Sequence, residues 1–314
     1  MTTDKYSEQL DHSTMAGSSL SFRDVREACQ SLDDASFLLW SAKMELIPDV
    51  QDESVAPMCC GTHMRLCERA ASPDRYEYRC TTCKAQRSIR LNSWTRGSHL
   101  SLRKLAMLLA CWIDGRAVRI AAEDCGVNRL TVLSYYAEFR RVAGERYHKD
   151  IAMNPLGGPG IILQVDESYF GKPKYNIGKA WALPPLWVFG IVDTHSRRVM
   201  LEAVEDRSSG TLVPMIDSTS APGSRVWSDQ WKGYSGLDDA GLDHDTVNHS
   251  VNFVSEDGVH TQMIESTWAA VKGFLRGRHI KARSTVMEHV HEWCFRRNLG
   301  SSFGACWHLL NNDS

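Results

Sequence analysis

The sequence predicts an α/β protein whose sheet lies in the second half of the chain, behind a small cysteine-bearing module and an all-α segment. Three observations point there. Apolar, β-branched runs separated by tight turns begin only after residue 160. Before them, residues 101–147 carry apolar residues at helical spacing. Between residues 56 and 90 five cysteines crowd into a short stretch.

The chain has 314 residues, of which 43% are hydrophobic, so several packed units are expected and global disorder is not. The longest apolar runs, such as Leu105 to Ile113, are too short to span a bilayer, and the N-terminus has no signal-peptide pattern. A soluble intracellular protein with no membrane partner is expected. Ten cysteines scattered over so long a chain do not suggest a disulfide framework.

The net charge of −2 conceals an asymmetry. Residues 1–56 hold four Lys/Arg against eleven Asp/Glu. Residues 84–150 hold thirteen against six, and residues 266–314 seven against three. Contact with phosphate needs local positive charge, not a basic whole, so a nucleic-acid partner stays open. Solvated helix faces account for the same counts equally well.

Six segments follow from composition and periodicity. Residues 1–20 are polar, rich in Ser and Thr, and read as a disordered tail. Residues 21–55 read as a short helical segment, with Ser21 capping a helix from Phe22 to Leu32 and Ser31 the candidate cap of a second through Trp40. Residues 56–92 form the cysteine module, with strands Tyr76 to Arg79 and Arg87 to Leu91. Residues 98–150 contain three helices, from Leu102 to Ile113, from Val118 to Asp124, and from the Asn128 cap to about Tyr147. A Gly- and Pro-rich linker, Asn154 to Gly160, precedes the unit at 158–282. A helical segment at 283–314 closes the chain.

Within 158–282 the strands are Ile161 to Val165, Leu186 to Val192, Arg198 to Val204 and Ser224 to Ser228. Asp193-Thr-His-Ser196 is a tight turn that makes an antiparallel hairpin of the second and third. Ser209 to Ile216 and Gln262 to Arg276 read as helices. Asp166 follows the first strand, Asp229 follows the fourth, and Glu265 lies early in the later helix. If the fourth strand pairs beside the first, the two aspartates are neighbours and the helix delivers Glu265 across them. Mg²⁺ takes oxygen ligands from one or two carboxylates plus phosphate. Two such ions about 3.5–4 Å apart activate an attacking hydroxyl and stabilise the leaving oxygen. An Asp after a strand is also a common turn or cap residue, so spacing alone leaves the ordinary structural role open.

At these residues the chain resembles the Merlin superfamily of cut-and-paste transposons and its bacterial insertion-sequence relatives. Val165-Asp-Glu-Ser-Tyr-Phe-Gly171 with Lys174-Tyr-Asn-Ile-Gly178 resembles the family's first-aspartate block. Trp187-Val-Phe-Gly190 and the following hairpin resemble the next. Trp227-Ser-Asp229 with Trp231-Lys-Gly-Tyr234 resembles the second-aspartate block. Val247-Asn-His-Ser250, Phe253-Val254, His260-Thr-Gln and Ile264-Glu265 resemble the third, 35 residues separating Asp229 from Glu265.

The resemblance spans roughly residues 20–300 and implies a ribonuclease H-like mixed five-stranded sheet with flanking helices. It implies a DDE transposase, a nuclease and polynucleotidyl transferase that uses Mg²⁺ or Mn²⁺ at Asp166, Asp229 and Glu265. Its partners would be double-stranded DNA, as terminal inverted repeats and target, and further copies of the chain pairing two ends. Lys272, seven residues after Glu265 and on the same helical face, resembles a lysine that contacts end DNA. His249 is family-like as well, as a phosphate or metal contact or as a structural histidine. Such a protein would be nuclear in a eukaryote and otherwise cytoplasmic or nucleoid-bound.

Cys80-Thr-Thr-Cys83 is a knuckle of a structural zinc site, which needs four S or N ligands. Upstream, Pro57 stands where the family pattern has its first cysteine. Cys60 with His63 restores a ligand spacing, and Cys59 is the alternative ligand. Ala122 to Gly126 fits the turn of a helix-turn-helix, with Asn128, Arg129 and Thr131 at the start of the reading helix and Arg140 and Arg141 later, near the DNA backbone. A plain three-helix bundle is the competing reading. The competing function is a catalytically silent, host-adopted DNA-binding regulator, for which loss of a carboxylate would be harmless.

Overall fold

In the computed structural model the described residues are 20–91, 93–171, 186–229, 231–247, 261–276, 278, 280 and 282–312. The chain divides into two units, one of Met1–Val142 with Ser301–Ser314 and one of Ala143–Gly300. Among the described residues no helix is long and apolar enough to cross a membrane.

In the first unit α1 (Phe22–Ser31) starts at Ser21 with a capping box. The Ser21 hydroxyl accepts from the Asp24 N–H, and the Asp24 carboxylate accepts from the Ser21 N–H. α2 (Asp34–Lys43) is capped by Asp33, whose side chain accepts from Ser36 N at 2.7 Å. Asp33, not Ser31, is the cap, because Ser31 is still the last residue of α1. The cysteine module has a two-stranded ribbon, β1 (Met58–Cys59) with β2 (Thr62–His63). A three-stranded meander follows, β3 (Arg65–Glu68), β4 (Tyr76–Arg79) and β5 (Gln86–Ser88).

α3 (Leu102–Ile113) buries every side chain from Leu105 to Trp112. α4 (Val118–Cys125) ends at Gly126, whose φ of 58° is the left-handed conformation that closes helices on glycine. α5 (Arg129–Met153) then begins, its free N–H at Thr131 satisfied by the Asn128 side chain at 2.8 Å. Trp94 packs edge-on against Tyr135, Phe139 and Trp307, the last from the C-terminal helix Phe303–Asn312.

In the second unit β6 (Leu156–Gly157) precedes β7 (Ile162–Phe170), β8 (Leu186–Asp193) and β9 (Val199–Val204). α6 (Ser209–Thr219) leads through β10 (Ser220–Ala221), which pairs with β6, to β11 (Arg225–Asp229) and β12 (Asp243–Val247). α7 (Gln262–Arg276) and α8 (Arg283–Leu299) complete it. The sheet order is β12-β11-β7-β8-β9. β7, β8 and β9 are antiparallel, while β11 runs parallel to β7 and β12 parallel to β11. A meander of three strands extended by two parallel strands on the side of the first is the ribonuclease H-like arrangement, as expected.

One face of this sheet is sealed by Leu212 and Ile216 of α6 against Leu163, Val165, Phe189 and Ile191. α7 covers the other face, burying Ile264, Trp268, Val271 and Leu275. The open edge of β9 is capped by side chains. Leu201 N donates to the Tyr147 hydroxyl, and the Asn298 amide pairs with both the N–H and the C=O of Val199.

Candidate active site

Asp166 lies within β7 rather than after it, because the strand runs on to Phe170. Three polar side chains beyond Val165 can stay in the strand because each has a partner. Trp268 Nε1 donates to Asp166 Oδ2 at 2.9 Å, the Tyr234 hydroxyl donates to Glu167 at 2.5 Å, and Lys272 Nζ donates to Ser168 Oγ at 2.6 Å. Alternation along the strand sends Asp166 and Ser168 to the α7 face and Glu167 to the other.

β11 pairs with β7 with Trp227 opposite Gln164. The same register carried two residues further sets Asp229 beside Asp166. Asp229 ends β11, and its Oδ1 accepts from Trp231 N at 2.9 Å, the turn that carries the chain away from the sheet. Glu265 stands in the first turn of α7, where negative charge suits the helix dipole. Burial, with smaller help from the charges of Asp229 and Glu265, pushes the Asp166 carboxyl up to about 6 against the Trp268 hydrogen bond. Two further carboxylates thus act on Asp166 at one end of the sheet, although the three do not form a group with ligand atoms within 4.8 Å of one another. Like charges gathered there favour a cation among them, and Lys272 is a basic side chain that acts on Asp166.

Several contributors escaped the sequence reading. Gln164 is entirely buried, and its Oε1 accepts from the N–H groups of both Met263 and Ile264. It therefore caps α7 from β7, two residues from Asp166, and sets where Glu265 emerges. The signal was present: an amide inside an apolar strand must find hydrogen bonds once buried. Gly190 faces Asp166 across the β7–β8 ladder. A Cβ there would lie 2.7 Å from both Leu201 and the Trp268 ring, so only glycine lets Trp268 lie flat enough to reach Asp166. On the other face burial pushes Glu167 up to about 7, although Tyr234 and Arg207 favour its charge. Arg207 lies between the rings of Trp187 and Trp231.

Lys272 is on the site's face, as the helical spacing required, over the Phe170 ring at 5.0 Å. Burial lowers its pKa, partly offset by Asp166. Asn128 and Arg129 are exposed at the start of α5. Asn128 is occupied as the cap, and Arg141 is paired with Glu138 at 2.8 Å. Arg140 is half-buried. His249, Lys174 to Gly178, Asn248 to Ser250, Phe253, Val254 and His260 lie outside the described residues.

In the first unit Cys59, Cys60, Cys80 and Cys83 bring their sulfurs within 4.8 Å of one another. His63 is not among them, since its Nδ1 is engaged with the Ala56 carbonyl at 2.8 Å. Cys59 takes its place. Successive strand residues normally point to opposite sides, but Cys60 has a φ of 49° and Gly61 one of 79°, which breaks the alternation and lets both sulfurs join one group. Four thiol sulfurs from two turns match the donor set of a structural zinc site.

Residues 155–298 match the family model described as the ISXO2-like transposase domain. No curated protein matches the chain. Among solved structures, a chain of the simian T-cell lymphotropic virus intasome in complex with PP2A regulatory subunit B56 gamma is 16% identical, with a TM-score of 0.32, over 44% of this chain and 51% of that one. The chain thus spans about half the length of that intasome chain. The HTLV-2 integrase catalytic core in complex with magnesium is 16% identical, with a TM-score of 0.29, over 43% of this chain and 84% of that one. The BIV integrase catalytic core is 11% identical, with a TM-score of 0.29, over 44% and 80%. The sheet-bearing part of the chain, with Asp166, Asp229 and Glu265 inside it, is therefore similar in sequence to a transposase domain of the ISXO2-like type.

Proposed function

We propose that the protein is a DDE transposase that cuts DNA at the ends of a mobile element and joins those ends to a target. The observation that supports this is that the charges of Asp229 and Glu265 both act on the buried Asp166, within a stretch that matches a transposase domain. The motif blocks around them favour a Merlin-type relative among such elements. The three carboxylates are hard oxygen donors suited to Mg²⁺ or Mn²⁺. When bound, such ions activate an attacking hydroxyl and stabilise the leaving oxygen of an in-line displacement.

The chain's own residues supply position. Trp268 fixes which Asp166 oxygen stays free. Gln164 sets the emergence of Glu265. Lys272 offers a cation to a nearby phosphate once DNA displaces the Ser168 hydroxyl. Arg129, exposed at the start of α5 beside the Asn128 cap, would meet DNA, with further copies of the chain joining two ends. Such a protein works where its DNA is, in the nucleus or nucleoid. Zinc held by Cys59, Cys60, Cys80 and Cys83 would brace the cysteine module.

Asp166→Asn, Asp229→Asn and Glu265→Gln should each reduce Mg²⁺-dependent nicking of DNA carrying the element's ends to background, with end binding retained in a mobility-shift assay. A variant that nicks at the wild-type rate removes its residue from the mechanism. A wild-type chain that binds the ends and never nicks would be a silent regulator.

A further inference from the structure

A second group of metal-ligating side chains stands apart from the carboxylate triad. His148 of α5, Glu202 of β9 and His291 of α8 place one ligand atom each within 4.8 Å of the others. The Nε2 atoms of His148 and His291 face different oxygens of Glu202, at 2.9 and 3.1 Å. Their rings meet edge to face with centroids 4.4 Å apart, and the Tyr147 ring lies against both, stacked on His291 at 5.4 Å and tilted against His148 at 4.9 Å. Asp166, Gly190 and Leu201 form one cross-strand row, so Asp166 shares a face with Leu201. Glu202 is the next residue and points to the opposite face, two strands away. The group is therefore no part of the triad.

Two imidazoles and a carboxylate are a donor set for borderline divalent ions, above all Zn²⁺, with Co²⁺ and Ni²⁺ close in preference. Around zinc with bonds of about 2.0–2.1 Å, neighbouring ligand atoms of a tetrahedron lie roughly 3.3 Å apart. The two histidine-to-carboxylate separations, 2.9 and 3.1 Å, differ from that by only a few tenths of an ångström, and all three ligand atoms lie within 4.8 Å of one another. The side chain of His148 is 50% exposed while that of His291 is 15% exposed, so one side opens to solvent. That side provides both an entry path and room for a water ligand. Each ligand comes from a different element, so an ion there would clip α5 and α8 to the edge strand. We propose that His148, Glu202 and His291 form a zinc-class metal site that braces this edge of the sheet.

The full chain, saturated with zinc in excess Mg²⁺ and then desalted, should hold one more zinc equivalent than His148→Ala, His291→Ala or Glu202→Gln by plasma mass spectrometry. Glu202→Gln keeps an acceptor for the histidines and so tests the charge, with circular dichroism as the folding control. Zinc-edge X-ray absorption of the wild type needs no variant. An imidazole and oxygen shell beside the sulfur shell is expected. A sulfur-only shell, or variants that retain the full zinc content, would overturn the proposal and leave a hydrogen-bonded His–Glu–His group.

Discussion

Trp268 shows how much of the candidate site depends on one hydrogen bond. Its indole N–H is the group that holds an Asp166 oxygen, and such outer partners are worth about 10–100-fold in metal affinity or activity. Trp268→Phe should keep the fold, lower nicking by about 10–100-fold and raise the Mg²⁺ concentration needed for half-maximal rate. Unchanged rate and Mg²⁺ dependence would deny the ring any positioning role. Gly190→Ala should act in the same direction, because its methyl would press on the same ring. Asp166, Asp229 and Glu265 were legible as residue types at suggestive places. Their setting was not, because no local pattern tells that the Trp268 indole N–H meets Asp166 or that Gln164 caps α7, both contacts between residues far apart in the chain.

At the scale of the element, the turn between β8 and β9 offers a pH test. Burial alone would raise the Asp193 carboxyl, but N–H groups of Ser196, Gly157 and His195 together hold it below the usual range. Its Oδ1 accepts from His195 and Ser196 and its Oδ2 from Gly157. A carboxylate with a depressed folded value stabilises above its unfolded value, near 3.9, and that stabilisation fades as pH falls through the lower folded value. Asp193→Asn puts an amide donor against one of these N–H groups. It should cost about 1–3 kcal/mol at neutral pH by urea denaturation, with the gap to wild type narrowing below about pH 4. A pH-independent gap would mean that charge is not the cause.

Elements with strong periodicity were legible to the residue: α3, β4 and α7 have the bounds the pattern predicts. β7 was read five residues too short, since Asp166-Glu-Ser looks like a turn until its tertiary partners are known. The same ignorance of tertiary contacts favoured His63 over Cys59, because spacing says nothing about a left-handed Cys60.

For the whole molecule, the two units differ in what holds them. The unit with the cysteine module carries a group of four sulfurs beside its buried apolar helices, whereas the sheet unit has an apolar core without such a group of thiols among the described residues. Removing zinc from four thiolates takes away binding energy that counts as folding energy. A strong chelator should therefore lower the melting of the first unit, with release of four titratable thiols more, while the sheet unit's transition moves less. Thiol titration with and without the chelator, alongside calorimetry, checks this, and no change in thiol reactivity would mean that no ion was held.

The Asn298 and Tyr147 side chains that occupy the rim of β9 have a consequence for assembly. A row of unpaired peptide groups is what invites a strand from a neighbouring chain. Here the start of that row, both peptide groups of Val199 and the Leu201 N–H, has already been taken up from within. A partner copy cannot lengthen the sheet on this side by strand addition without first evicting both side chains, so any self-association there must proceed through side-chain surfaces.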